Sequence, residues 1–150
     1  MNNYIKKEVN ELKINHGTNN PFEIVKQDKD IELIIEPLGK IWGMYKYINK
    51  TKTIFLNSNL NEHQQRFVLA HELGHAILHP RSSCFFVNTL NTNKLKKEYE
   101  ANLFAAELLI DFSSIDVLYM QGYSINQLAC HYMVPTELVE FRFKENRKLY

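Results

Sequence analysis

The stretch that most restricts this chain is Phe67-Val68-Leu69-Ala70-His71-Glu72-Leu73-Gly74-His75-Ala76-Ile77-Leu78-His79-Pro80. Apolar residues flank the ionisable ones on both sides, which marks a buried helix, and Pro80 ends that helix after His79. On a helix, residues four apart share a face, so His71 and His75 present both imidazoles to one point. Two imidazoles meeting at a point are what a tetrahedral zinc ion asks of two of its ligands. Glu72 projects beside them, near enough to take a proton from water activated by the metal without occupying a coordination position. His-Glu-x-x-His therefore carries a mechanism as well as a spacing. Gly74 costs a helix about 1 kcal/mol relative to alanine. Its place beside the histidines predicts that another backbone or a substrate comes close there.

The rest of the chain is read around that helix. With 150 residues, 45% of them hydrophobic and 12% aromatic, the expectation is one folded domain over 1–150, with a helical part at about 113–150 packed on it. A net charge of +1 and a pI near 7.8 give no strong pull towards nucleic acid or anionic membrane. There is no apolar run long enough to span a bilayer and no leader-like start. Two cysteines, Cys84 and Cys130, stand in no motif and imply no disulfide, which fits a cytoplasmic setting.

Helical spacing of Ile5, Val9 and Leu12 predicts a helix over about 3–14, closed near Gly17, and a short helix follows from Pro21 to about residue 27. Residues 30–36, 41–48 and 53–56 have strand composition, with Asn49-Lys50 as a polar turn, so a small, partly antiparallel sheet is expected. Asn61 and Gln64 form a capping-box pair that starts the histidine helix. Residues 81–93 show no clear period and are read as a loop over the site. Further helices are expected at about 94–110 and 113–121, with two short ones within 124–148 separated near 132–135.

Two histidines do not complete a catalytic zinc site; three protein ligands plus water is the pattern. His79 lies two turns beyond His71, too far to reach the same ion, and is read either as a contact of a ligand or as polar packing. The acidic candidates are Glu98 and Glu100. Glu98 shares a face with Ala101, Asn102 and Ala105, where small residues allow close approach and Asn102 can hydrogen-bond a ligand histidine. Glu100 shares its face with Leu103, Phe104 and Leu108, which looks like core. The face argument favours Glu98 and leaves Glu100 open.

Ala70-His71-Glu72-Leu73-Gly74-His75 with Leu78-His79, followed by Glu98-Tyr99-Glu100-Ala101-Asn102-Leu103-Phe104-Ala105-Ala106-Glu107-Leu108-Leu109, resembles the ImmA/IrrE metallopeptidases. The start His16-Gly17-Thr18-Asn19-Asn20 also looks like members found on mobile elements of Gram-positive bacteria. The resemblance implies a compact α+β zincin-like domain that cleaves a cognate helix-turn-helix repressor at one site and so derepresses phage or mobile-element genes. It implies His71, His75 and Glu98 as metal ligands and Glu72 as catalytic base. Zinc suits that ligand set best, with manganese as an alternative. One departure is Asp111 after Ile110, where members often carry proline. For an oxyanion donor, Tyr99, His79 and His131 are all available and none is singled out.

Two other functions compete. Residues 124–136 resemble the first helix and turn of a helix-turn-helix, which would suit a DNA-binding regulator, but the segment after them mixes acidic and basic residues. The other alternative is a metal-containing regulatory protein that binds its target with little or no turnover.

Overall fold

The computed structural model describes residues 2–86 and 95–148. Helix α1 (Asn2–His16) and the short α2 (Pro21–Gln27) precede strands β1 (Ile31–Glu36), β2 (Gly43–Ile48) and β3 (Thr51–Asn57). Then come α3 (Glu62–Leu78), β4 (Cys84–Phe86), α4 (Lys96–Leu109), α5 (Phe112–Met120), α6 (Ile125–Tyr132) and α7 (Thr136–Arg147). The architecture is α+β, as expected. No helix among the described residues is long and apolar enough to cross a membrane.

The sheet runs in the order β1-β3-β2-β4. Asn49 and Lys50 both have positive φ, the signature of the two-residue hairpin turn that matches the twist of its strands, and Ile48 faces Thr51 across it. β1 then adds to the outer side of β3 in parallel, so β2 reaches its place by passing beyond β3. β4 pairs antiparallel with β2, Tyr45 opposite Cys84. The expectation of a partly antiparallel sheet holds. That residues 84–86 form a strand is a correction to the reading of 81–93 as aperiodic loop. Three residues carry too little alternation to show a strand, and pairing with β2 creates it. The remainder of that expected loop, 87–93, lies outside the described residues, as does residue 94, where the next helix was expected to begin.

α3 is the central element, packed against β2 and β3 on one side and α4 on the other. Every residue from Phe67 to Ala76 is buried, as an all-round apolar helix requires. Its start is the expected capping box: Asn61 accepts from the Gln64 amide at 2.9 Å, and Gln64 Oε1 accepts from the Asn61 amide at 3.0 Å. Gly74 makes room for Phe104 of α4. A Cβ at Gly74 would lie 3.1 Å from the Phe104 Cβ and Cγ, so the close approach is made by a side chain rather than by a backbone or substrate. α1 and α7 support α4 from outside, and α6 packs on α7.

Candidate metal centre

α3 and α4 bring His71, His75 and Glu98 to one point. His71 Nε2 lies 3.0 Å from Glu98 Oε2, His75 Nε2 lies 3.1 Å from Glu98 Oε1, and the two Nε2 atoms are 3.2 Å apart. Among the described residues these are the three whose donor atoms are grouped so that they could hold a metal ion. Ala101 and Ala105, expected on the Glu98 face of α4, are both buried.

The outer nitrogens define the protons. His71 Nδ1–H donates to Asn102 Oδ1 at 2.8 Å, one turn along α4 from Glu98. His79 Nε2 is 3.3 Å from Glu100 Oε2, and its Nδ1 is 3.4 Å from His75 Nδ1. A carboxylate can only accept, so His79 donates from Nε2 and turns a lone pair on Nδ1 towards His75 Nδ1–H. In this arrangement His71 and His75 carry their proton on Nδ1, which leaves Nε2 free of it to face a metal ion. Of the two readings of His79, the structure supports contact with a candidate ligand. Glu100, left open as a third ligand, is turned to His79 instead.

Electrostatics agree with a cation-seeking centre. Without a cation, protons on the two Nε2 atoms take its place: shared with Glu98, they outweigh the burial that alone would raise its pKa and hold it at about 2. Burial pushes the His75 pKa down, more than Glu98 restores. Electron pairs on two imidazoles and a carboxylate thus converge within 3.0–3.2 Å. The edge of a tetrahedron with metal–nitrogen arms of zinc length is roughly 3.3 Å, so the donor set fits such an ion.

Glu72 is fully buried, and neither of its carboxylate oxygens has a hydrogen-bond partner among the described residues. Burial, reinforced by the Glu98 charge, raises its pKa well above the usual carboxylate range. A buried carboxylate without a partner is costly, and such groups concentrate where chemistry needs them. Two neighbours escaped the reading of the sequence. Gly43 opens β2 against this side chain: a Cβ there would lie 2.5 Å from Val68 Cγ1 and 3.0 Å from Glu72 Oε1. The one available signal was a glycine heading an aromatic strand. Cys84 of β4 also borders the centre, its pKa pushed up to about 12 by burial and then by the charges of Glu98 and Glu72.

Of the residues considered for an oxyanion donor, His79 is bound to Glu100 and His75, and Tyr99 OH donates to Glu145 beyond the centre. His131 lies on α6 against Tyr123 and Tyr132.

The family model described as the IrrE N-terminal-like domain matches residues 26–144. The chain is 35% identical over 144 residues to metallopeptidase ImmA of Bacillus subtilis (strain 168), covering 94% of this chain and 85% of that protein. It is also 35% identical over 142 residues to uncharacterized immunity region protein 2 of Bacillus phage phi105, covering 92% and 88% respectively.

Proposed function

The chain belongs to the ImmA/IrrE family of metallopeptidases, and from that premise we propose that it is a zinc-dependent endopeptidase acting on one regulatory protein. Its substrate on this reading is a cognate helix-turn-helix repressor in the cytoplasm, whose cleavage derepresses mobile-element or phage genes. The observation that carries the catalytic part is the Glu72 carboxylate, buried and unpartnered beside His71, His75 and Glu98. The likeness to an immunity region protein of a phage supports the mobile-element setting. We take residues 1–150 as one such domain.

His71 Nε2, His75 Nε2 and a Glu98 oxygen would hold the ion, zinc in preference to manganese because imidazole nitrogens dominate the set. When bound, the ion supplies Lewis acidity that polarises a peptide carbonyl and lowers the pKa of water. Glu72 accepts the attacking water's proton at a carboxylate oxygen and returns it to the leaving amine nitrogen. Asn102 and the His79–Glu100 pair keep the two imidazoles in the tautomer that leaves Nε2 bare.

The DNA-binding alternative loses support in α7. Arg142, the basic residue in the middle of the helix, is buried and bonds Glu107 at 2.8 Å. Exposed on α7 are Glu137, Glu140, Lys144 and Arg147, two acids against two bases, which is no phosphate-binding footprint.

Elemental analysis of protein purified without added metal tests the centre. One zinc per chain in the wild type and in Glu100→Ala, lost in Glu98→Ala, is the expected result. Co-expression with a candidate helix-turn-helix repressor tests the substrate. A cut repressor with wild type and an intact one with Glu72→Gln is expected; an intact repressor with metal-loaded wild type favours a binding protein without turnover.

A further inference from the structure

On the far side of α4 lies a second polar site that the peptidase reading does not use. Glu107 is nine positions after Glu98, and at about 100° per residue that places it on the opposite face of the helix. There α1, α4 and α7 enclose a cleft of about 140 Å³, lined by Lys6, Leu103, Glu107, Phe112, Arg142 and Asn146 among others.

Arg142 is only 2% exposed, and its guanidinium is held on two sides. Nη1 bonds Glu107 Oε1 at 2.8 Å, and the guanidinium carbon sits 4.7 Å from the centre of the Phe112 ring. Its other edge, Nε and Nη2, is buried and has no hydrogen-bond partner among the described residues. One turn on, Asn146 is 7% exposed, and both its Oδ1 and Nδ2 are likewise buried and unpartnered. Two side chains one turn apart, both in the lining of the cleft, thus carry four buried polar atoms with no partner among the described residues. Each would cost free energy there unless a partner met it.

The shape of those donors identifies the partner's chemistry. The Nε–Nη2 edge offers two parallel N–H bonds, which match the two oxygens of a carboxylate or phosphate. Asn146 Nδ2 adds a third donor. The two carboxylates of the lining are already engaged, Glu107 by Arg142 and Glu145 by Tyr99 OH and by Lys148 Nζ at 2.9 Å. Lys6 at the rim, with its Nζ 5.5 Å from the Phe112 ring, adds a cation that neither carboxylate of the lining engages in the described contacts. Phe112 and Leu103 supply an apolar wall. We propose that this cleft is a binding site for a small oxyanion-bearing molecule, held bidentately by Arg142 and capped by Asn146.

The test is a titration of isotope-labelled, metal-loaded full chain by NMR, with inorganic phosphate in one arm and benzoate in the other. Sodium chloride at matched ionic strength is the reference. Saturable shifts at the Arg142 Nε–H and the Asn146 carboxamide, absent with chloride and leaving the His71 and His75 rings unmoved, are expected. Saturation by phosphate alone assigns a phosphate-bearing ligand, and saturation by benzoate alone assigns a carboxylate with an apolar body. Asn146→Asp, which puts a negative charge in the cleft, should weaken binding by about tenfold or more. Lys6→Glu, at an exposed position that does not support the core, should weaken it as well and covers the case in which Asn146→Asp does not fold. Linear shifts shared with chloride, or undiminished affinity in a folded variant, would reduce the cleft to a pocket of water and overturn the proposal.

Discussion

His71 Nδ1 and Asn102 Oδ1 meet at 2.8 Å across the α3–α4 interface, both fully buried. That contact decides which imidazole nitrogen is free for a ligand role, because Asn102 offers an acceptor and the proton must face it. Asn102→Leu keeps the volume and removes the acceptor. Zinc affinity should fall about 10- to 100-fold, read by competition with a chelating dye, in a protein that still folds. Asn102→Asp, which keeps an acceptor, should retain most of the affinity; equal loss in both variants would show that the contact does not set the tautomer.

The second histidine depends on a longer chain of contacts, Glu100 to His79 to His75. Glu100→Gln turns an obligate acceptor into a group that can also donate, and so weakens the bias on His79. His79→Phe removes the acceptor for His75 Nδ1–H outright. Metal affinity should fall in the order wild type, Glu100→Gln, His79→Phe, with the last within about 100-fold of wild type. An unchanged affinity in His79→Phe would reduce this pair to packing.

Gly43 faces Val68 and Glu72 with no room for a side chain. Gly43→Ala must displace one of them, at a cost of about 1–3 kcal/mol in the thermal or denaturant midpoint. Because the Glu72 oxygen is among the displaced atoms, cleavage of the repressor should drop while zinc content stays at one per chain. Activity at the wild-type level would mean that Val68 alone moves.

The raised pKa of Glu72 makes a prediction for metal-free protein. A raised folded-state value means that the folded chain binds this proton more tightly than the unfolded chain does. Glu72 therefore costs nothing below the ordinary carboxylate range, and it destabilises the fold increasingly as pH rises from that range towards the raised value, beyond which the loss is constant. Glu72→Gln cannot ionise, so in EDTA its Tm should exceed that of wild type, by a margin that grows as pH rises above the ordinary carboxylate range. A margin that is constant with pH would show that Glu72 titrates normally.

How far these features were legible in the sequence depends on the range of the interaction involved. The capping box of Asn61 and Gln64, the turn at Asn49-Lys50 and the helix face shared by His71 and His75 are local, and spacing alone reveals them. The proximity of Glu98 came from a weaker local clue, the alanines at 101 and 105 beside Asn102. What stayed hidden is tertiary. β4 exists because residues 84–86 meet β2, and β1 runs parallel to β3 because β2 crosses beyond it. Gly74 announced a close approach but not that Phe104 makes it, and nothing near Gly43 in sequence pointed to Glu72 as the side chain it faces.

The two halves of the candidate metal centre are 27 positions apart in the chain, the histidines on α3 and the carboxylate on α4. During synthesis α3 leaves the ribosome first, with both imidazoles and Glu72 but nothing to complete the set. A nascent chain, or one terminated before Lys96, carries two of the three donors and lacks the helix that buries them. Hydrolytic competence therefore arrives only with the later part of the polypeptide, and for a growing chain incompleteness is itself the safeguard.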